Sequence, residues 1–118
     1  MKIARSMQII SDIKTHNNSA LTDMAACMRV VEDAVKDAGA KNLGVVKHVF
    51  PENGGFTLVM CLAESHIALH TWPELNCLTL DVYLCNYTQN NTEKCESIFQ
   101  EILSYFEPET HNTTRLLR

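Results

Sequence analysis

The sequence predicts a two-layer α+β sandwich: a largely antiparallel sheet with two helices packed on one face. Three observations carry this. Two segments, about 20–38 and 92–106, repeat apolar residues at three- and four-residue steps. The segments between them are short, rich in apolar and β-branched residues, and separated by turn chemistry. A helix with one apolar stripe must bury that stripe, and one face of a sheet is the natural cover.

Residues 5–14 read as a first strand, with Met7, Ile9 and Ile13 facing in. His16-Asn17-Asn18-Ser19 is turn chemistry. The first helix, 20–38, carries the stripe Leu21, Met24, Ala25, Met28, Val31 and Val35, with Ser19 as N-cap, Asp23 near the positive end and Gly39 at C′. At this spacing its methionines pack a core rather than line a cofactor pocket. Asn42–Phe50 reads as a second strand, followed by the turn Pro51-Glu52-Asn53-Gly54-Gly55. No helix follows those glycines, so they form no phosphate loop. Phe56–Ala63 reads as the third strand, and Ser65–Trp72 as the fourth. Cys77–Asn86, the fifth, alternates Leu78, Leu80, Val82 and Leu84 with Thr79, Asp81, Tyr83 and Cys85. That second face is too polar for a core and reads as a lined site or an interface. Tyr87–Asn91 reads as a loop, and Asn91 or Thr92 caps the second helix, whose stripe is Cys95, Ile98, Phe99, Ile102 and Phe106. The tail from Glu107 is polar and expected to fray, with Thr114–Leu117 available as a short edge strand. The uncovered sheet face suggests a homodimer.

At 118 residues the chain makes a single domain, 1–118. A net charge of −4 without a basic block argues against a nucleic-acid partner. No apolar h-region follows Met1-Lys2, and no run is long enough to span a membrane, so neither a signal peptide nor a membrane partner is expected. Five scattered cysteines without a C-x-x-C suggest neither a disulfide framework nor zinc, and fit a reducing cytoplasm. Cys27, Cys61 and Cys95 sit in apolar patterns and read as small core residues.

The stretch 63–74 gathers one Ser, two His, two Glu and the only Trp. On the residues alone, Ser65, His70, His66, Cys85 and Thr57 are candidate reactive groups. A Ser or Cys hydrolase stays open, although there is no G-x-S-x-G elbow. His66 and His70 are four apart, but Pro73 and the alternation favour a strand over a metal-binding helix, so no metal is expected.

Glu64-Ser65-His66, His70-Thr71-Trp72-Pro73-Glu74 and Asp81-Val82-Tyr83-Leu84-Cys85 resemble the prokaryotic S-adenosylmethionine decarboxylase family, over about residues 43–86. The resemblance implies a pyruvoyl-dependent carboxy-lyase, producing decarboxylated S-adenosylmethionine for spermidine synthesis. It implies self-cleavage between Glu64 and Ser65, giving a 1–64 β chain and a 65–118 α chain. Ser65 becomes a self-derived pyruvoyl group that forms the Schiff base with substrate. His70 accepts a proton during processing, Cys85 donates one in catalysis, and Thr57 stands where the family often has a processing serine. Glu74 and Phe50 become substrate-binding residues. No role is implied for His66.

The sequence departs from the family pattern in places. Gly54-Gly55 lengthens the turn. Val49 occupies the position nearest to the family's stacking aromatic, and Phe50, one residue along, would point to the other face. Cys77-Leu78-Thr79 replaces smaller residues. These changes leave ornithine or arginine open as the substrate of the same scaffold. A non-catalytic binding or regulatory relative is the rival of another class.

Overall fold

A computed structural model describes residues 5–86 and 90–118. Its elements are β1 (Met7–Lys14), α1 (Asn18–Leu21), α2 (Met24–Asp37), β2 (Asn42–Val49), β3 (Phe56–Leu62), β4 (Ser65–Trp72), a 3₁₀ turn (Pro73–Leu75), β5 (Cys77–Leu84), α3 (Thr92–Tyr105) and β6 (Thr110–Leu117). The six strands form one sheet in the order β2-β3-β4-β5-β1-β6, with every neighbouring pair antiparallel. α2 packs toward β2 and β3, α3 toward β5 and β1, and the two helices pack on each other. This is the expected two-layer α+β architecture. No helix among the described residues is long and apolar enough to cross a membrane.

Strand alternation decides which side chains meet the helices. Met7, Ile9 and Ile13 of β1, Phe56, Leu58, Met60 and Leu62 of β3, Ile67 and Leu69 of β4, and Leu78, Leu80, Val82 and Leu84 of β5 are buried beneath them. Val31, Val35, Cys95, Ile98, Phe99, Ile102 and Phe106 meet them from above. Each large apolar side chain removed from water contributes about 1.5–3 kcal/mol. One hydroxyl is built into this layer. Thr71 Oγ1 accepts from Phe56 N–H at 2.9 Å and donates to Leu21 C=O at 2.8 Å, tying β3, β4 and α1 together. Cys27 and Cys95 are fully buried, and burial pushes both thiols up to about 12.

Four expectations need correction. The helix expected over 20–38 is two helices: Asn17 caps α1 through Ala20 N–H at 3.1 Å, and Asp23 caps α2 through Ala26 N–H at 3.0 Å. Ser19 is therefore inside α1 rather than its cap. Asn17, Asn18, Ser19, Thr22 and Asp23 offer several side-chain acceptors, and two of them interrupt what an apolar stripe reads as continuous. The tail is no frayed end: the edge strand expected over Thr114–Leu117 is present but starts at Thr110, and this β6 pairs along all of β1, from Met7↔Leu117 to Lys14↔Thr110. A Thr-rich edge strand looks polar because one side of it faces water. Cys61 is exposed and not a core residue, because β3 turns that side chain away from the helices. Several strand ends shorten, including β2 at Val49, β3 at Leu62 and β5 at Leu84. Residues 87–89 of the expected 87–91 loop lie outside the described residues.

Gly55 holds the β2–β3 turn against the 3₁₀ segment. A Cβ there would stand 2.8 Å from Pro73 Cδ and 3.0 Å from Thr71 O, so only glycine permits this approach. It brings Asn53 to Glu74, whose carboxylate accepts from the Asn53 side-chain amide.

Candidate active site

The predicted residues fall into three groups. The first lies at one end of the sheet. β3 ends at Leu62 and β4 begins at Ser65, opposite each other in the ladder, so Ala63 and Glu64 alone make the hairpin loop. Glu64 has φ 61°, one of three non-glycine left-handed residues among those described. That conformation crowds Cβ against the backbone and is costly for a glutamate. The peptide bond that follows it is the one to Ser65. Ser65 Oγ donates to Ala63 C=O at 3.3 Å. Ser65 and Cys85 line one cavity of about 310 Å³, together with Glu64, Lys41, Asn91 and Lys94.

The second group lies on the uncovered face. Thr57 and His70 are partners in the β3–β4 ladder, and Thr57 Oγ1 stands 2.9 Å from His70 Nδ1. If Nδ1 carries the proton and donates to Thr57, Nε2 is left as a free base and the Thr57 hydroxyl keeps its own proton to donate. His70 also stacks near Trp72, with ring centroids 6.1 Å apart.

The structure keeps these two groups apart within one chain. Ser65 and His70 are five residues apart on β4, which at about 3.3 Å per residue is roughly 16 Å. Ser65 also shares the alternation of Ile67 and Leu69, whereas His70 shares that of His66 and Ala68. No direct proton transfer between Ser65 and His70 of one chain spans that gap.

The third group joins the two predicted substrate-binding residues. Phe50 and Glu74 line a cavity of about 230 Å³ with Asn53, Thr71 and Trp72. Phe50 packs edge-on to His48, with centroids 4.7 Å apart, and His48 pairs with Thr57. The position of Phe50, one residue past Val49, therefore puts the aromatic on the same side as Thr57 and His70. Trp72 is a wall of this pocket.

His66 belongs to a polar row beside these groups. Its Nε2 is 3.5 Å from Asp81 Oδ2, and Asp81 accepts from Gln8 Nε2 at 2.9 Å. Cys77 is partly exposed, and its thiol is raised by desolvation at the sheet end. Among the described residues no three His, Cys, Asp or Glu side chains are grouped to hold a metal. Sequence reading missed Lys41, Asn91 and Lys94 as neighbours of Ser65; only Asn91 carried a signal, and it was read as a helix cap.

The comparisons with known proteins fall in line with this arrangement. A sequence profile described as S-adenosylmethionine decarboxylase matches residues 7–118. A protein of Pyrobaculum islandicum named S-adenosylmethionine decarboxylase proenzyme is 38% identical over 89 residues, covering 75% of this chain and 68% of that one. A protein of the same name from Methanococcus maripaludis strain C5 is 37% identical over 103 residues, covering 86% and 79%. The crystal structure of the adenosylmethionine decarboxylase from Aquifex aeolicus shares the fold, with a TM-score of 0.85 at 24% identity, covering 98% of this chain and 91% of that one.

Proposed function

The chain belongs to the S-adenosylmethionine decarboxylase family, and we propose that it is a decarboxylase of S-adenosylmethionine made as a proenzyme that cuts itself between Glu64 and Ser65. The observation that carries the reading is the cavity shared by Ser65 and Cys85, directly after the left-handed Glu64. Family membership implies a pyruvoyl group. The residues fit one: a group derived from Ser65 would face a cavity that already holds a thiol and stands clear of the packed core.

In processing, Ser65 Oγ attacks the Glu64 carbonyl carbon and the chain passes from amide to ester. Thr57 donates to the oxygen that becomes negative in that step. His70 Nε2 takes the Ser65 α-proton, and the ester leaves as the Glu64 carboxylate. Water then replaces the nitrogen of residue 65, which departs as ammonia. The pyruvoyl carbonyl, once formed, supplies the electron sink for loss of CO2. Cys85 returns a proton to the substrate α-carbon. Glu74, with Phe50 and Trp72 beside it, offers an aromatic wall and a carboxylate, which suits a flat base and a diol.

A homodimer completes this scheme. Ser65 and His70 of one chain are too far apart, so His70 and Thr57 of a second copy serve Ser65 and Cys85 of the first. The uncovered sheet face supports this: Ile10, Val46, Val59, Trp72 and Leu116 are exposed on it. The five cysteines are unpaired, which fits action in the cytoplasm.

The test is the intact mass of fresh protein under denaturing conditions, beside a Ser65→Ala variant. Fragments breaking at Glu64/Ser65 in the wild type alone, the second reactive to carbonyl reagents, support the reading. A single uncut chain after long incubation overturns it. CO2 release from S-adenosylmethionine, against ornithine and arginine, tests the substrate.

A further inference from the structure

We propose that Asn91 is a positioning residue for Cys85: its side chain is diverted from capping α3 to holding the backbone of the thiol that shares the Ser65 cavity. The inference rests on the role given to Cys85 above.

Cys85 needs such a hold. The β1–β5 ladder ends at the pair Met7↔Leu84 and the β4–β5 ladder at His66↔Tyr83. Cys85 lies beyond both, at the point where the chain leaves the sheet. Its carbonyl accepts from Asn91 Nδ2 at 2.8 Å. The next residue is tied to the same place: Asn91 N–H donates to Asn86 Oδ1 at 2.7 Å, and Asn86 Nδ2 donates to Thr92 Oγ1 at 3.4 Å. Residues 85 and 86 are thus sewn to the start of α3 rather than to a strand.

Asn91 gives up its ordinary role to do this. It stands at the N-cap of a 14-residue helix, and asparagine is among the best residues there because its Oδ1 accepts a free N–H of the first turn. Here the side chain makes no cap bond. Its Oδ1 is buried without a partner among the described residues. Turning the amide over would set Oδ1 against the Cys85 carbonyl, two acceptors face to face, so the orientation is fixed by Cys85. A lost cap and an unpartnered buried acceptor both reduce stability, and departures of that kind concentrate at functional sites. Asn91 lines the same cavity as Ser65 and Cys85. A thiol that must deliver a proton to one carbon needs its backbone held to well under an ångström.

The test compares Asn91→Ser and Asn91→Asp with Asn91→Ala. Serine and aspartate cap helices well, but aspartate has no N–H to donate and the serine hydroxyl is one atom short of Asn91 Nδ2. In the uncut Ser65→Ala chain, alkylation of Cys85 by iodoacetamide is followed by peptide mass, with the exposed Cys61 as internal reference. The expected result is a change of about threefold or more in Cys85 alkylation for all three variants, with Cys61 unaltered. In the Ser65 enzyme, CO2 release falls by about 10²-fold while self-cleavage keeps its wild-type rate. If Asn91→Ser and Asn91→Asp leave both readouts unchanged and only Asn91→Ala lowers Tm, Asn91 is a cap and the proposal fails. If wild-type protein does not cut itself, the proenzyme reading fails instead, and alkylation in the uncut chain still decides the link between Asn91 and Cys85.

Discussion

Thr57 and His70 face each other across the β3–β4 ladder, with Oγ1 and Nδ1 2.9 Å apart, on the sheet face that the helices leave uncovered. This pair is read as the processing machinery. His70→Ala is expected to slow self-cleavage by about 10²–10⁴-fold. Thr57→Val should slow it by about 10²-fold, because an oxyanion donor is lost. Thr57→Ser keeps the hydroxyl and should cut at close to the wild-type rate. The time course of the uncut band on a denaturing gel measures all three. Equal rates for Thr57→Val and wild type would leave Thr57 a plain strand residue.

The separation of Ser65 from His70 along β4 leads to a complementation experiment. Ser65→Ala cannot be cut but still presents His70; His70→Ala still presents Ser65. Alone, the first should stay intact and the second should cut only at its slowed rate. Refolded together, the His70→Ala chain should be cut at its own Glu64/Ser65 bond, at a rate set by the fraction of mixed dimers. Native mass spectrometry establishes that mixed dimers are present. Intact chains in their presence would return the whole site to one chain.

Thr71 is buried, and a conservative change there removes both of its hydrogen-bond partners. Thr71→Val keeps shape and removes both the acceptor of Phe56 N–H and the donor to Leu21 C=O, within the buried layer. Leaving two buried groups unpaired should cost about 2–4 kcal/mol. Urea unfolding in the Ser65→Ala background should show a lower midpoint with unchanged slope. Thr71→Ser should recover most of the loss.

Acid stability should depend on Glu96. Its carboxylate accepts from Arg115 Nε at 2.9 Å and from Arg115 Nη2 at 2.5 Å, and these bonds hold it below the usual carboxylate range. A carboxyl lowered in the folded state binds its proton more readily when unfolded. The pair therefore stabilises the fold above the ordinary carboxylate range and loses that contribution as pH falls through the lowered folded value. The pair is more than a third exposed, so the effect is small and screened by salt. Glu96→Gln should be slightly less stable than its parent at neutral pH and converge with it in strong acid. A gap that widens on acidification would contradict the sign.

The sequence by itself determined the two-layer plan, the inward faces of β1, β3, β4 and β5, and the identity of Ser65, His70 and Cys85 as the groups to examine. Those were legible because alternation and helical spacing are local properties, and because the Glu64–Glu74 motif is continuous. Only the tertiary structure decided where the groups stand relative to one another. Strand geometry puts Ser65 and His70 on different faces, while a hairpin and a crossover bring Ser65, Cys85 and Asn91 to one cavity. Gly55 and the 3₁₀ turn bring Phe50 to Glu74. Asn91 looked like a cap because capping preference is written in sequence; that it instead holds Cys85 depends on where β5 leaves the sheet, and that is set by its partners, not by its neighbours. Of β6 only the end, Thr114–Leu117, was legible for the same reason, since an edge strand takes its structure from the strand it pairs with and its polarity from the water on its other side.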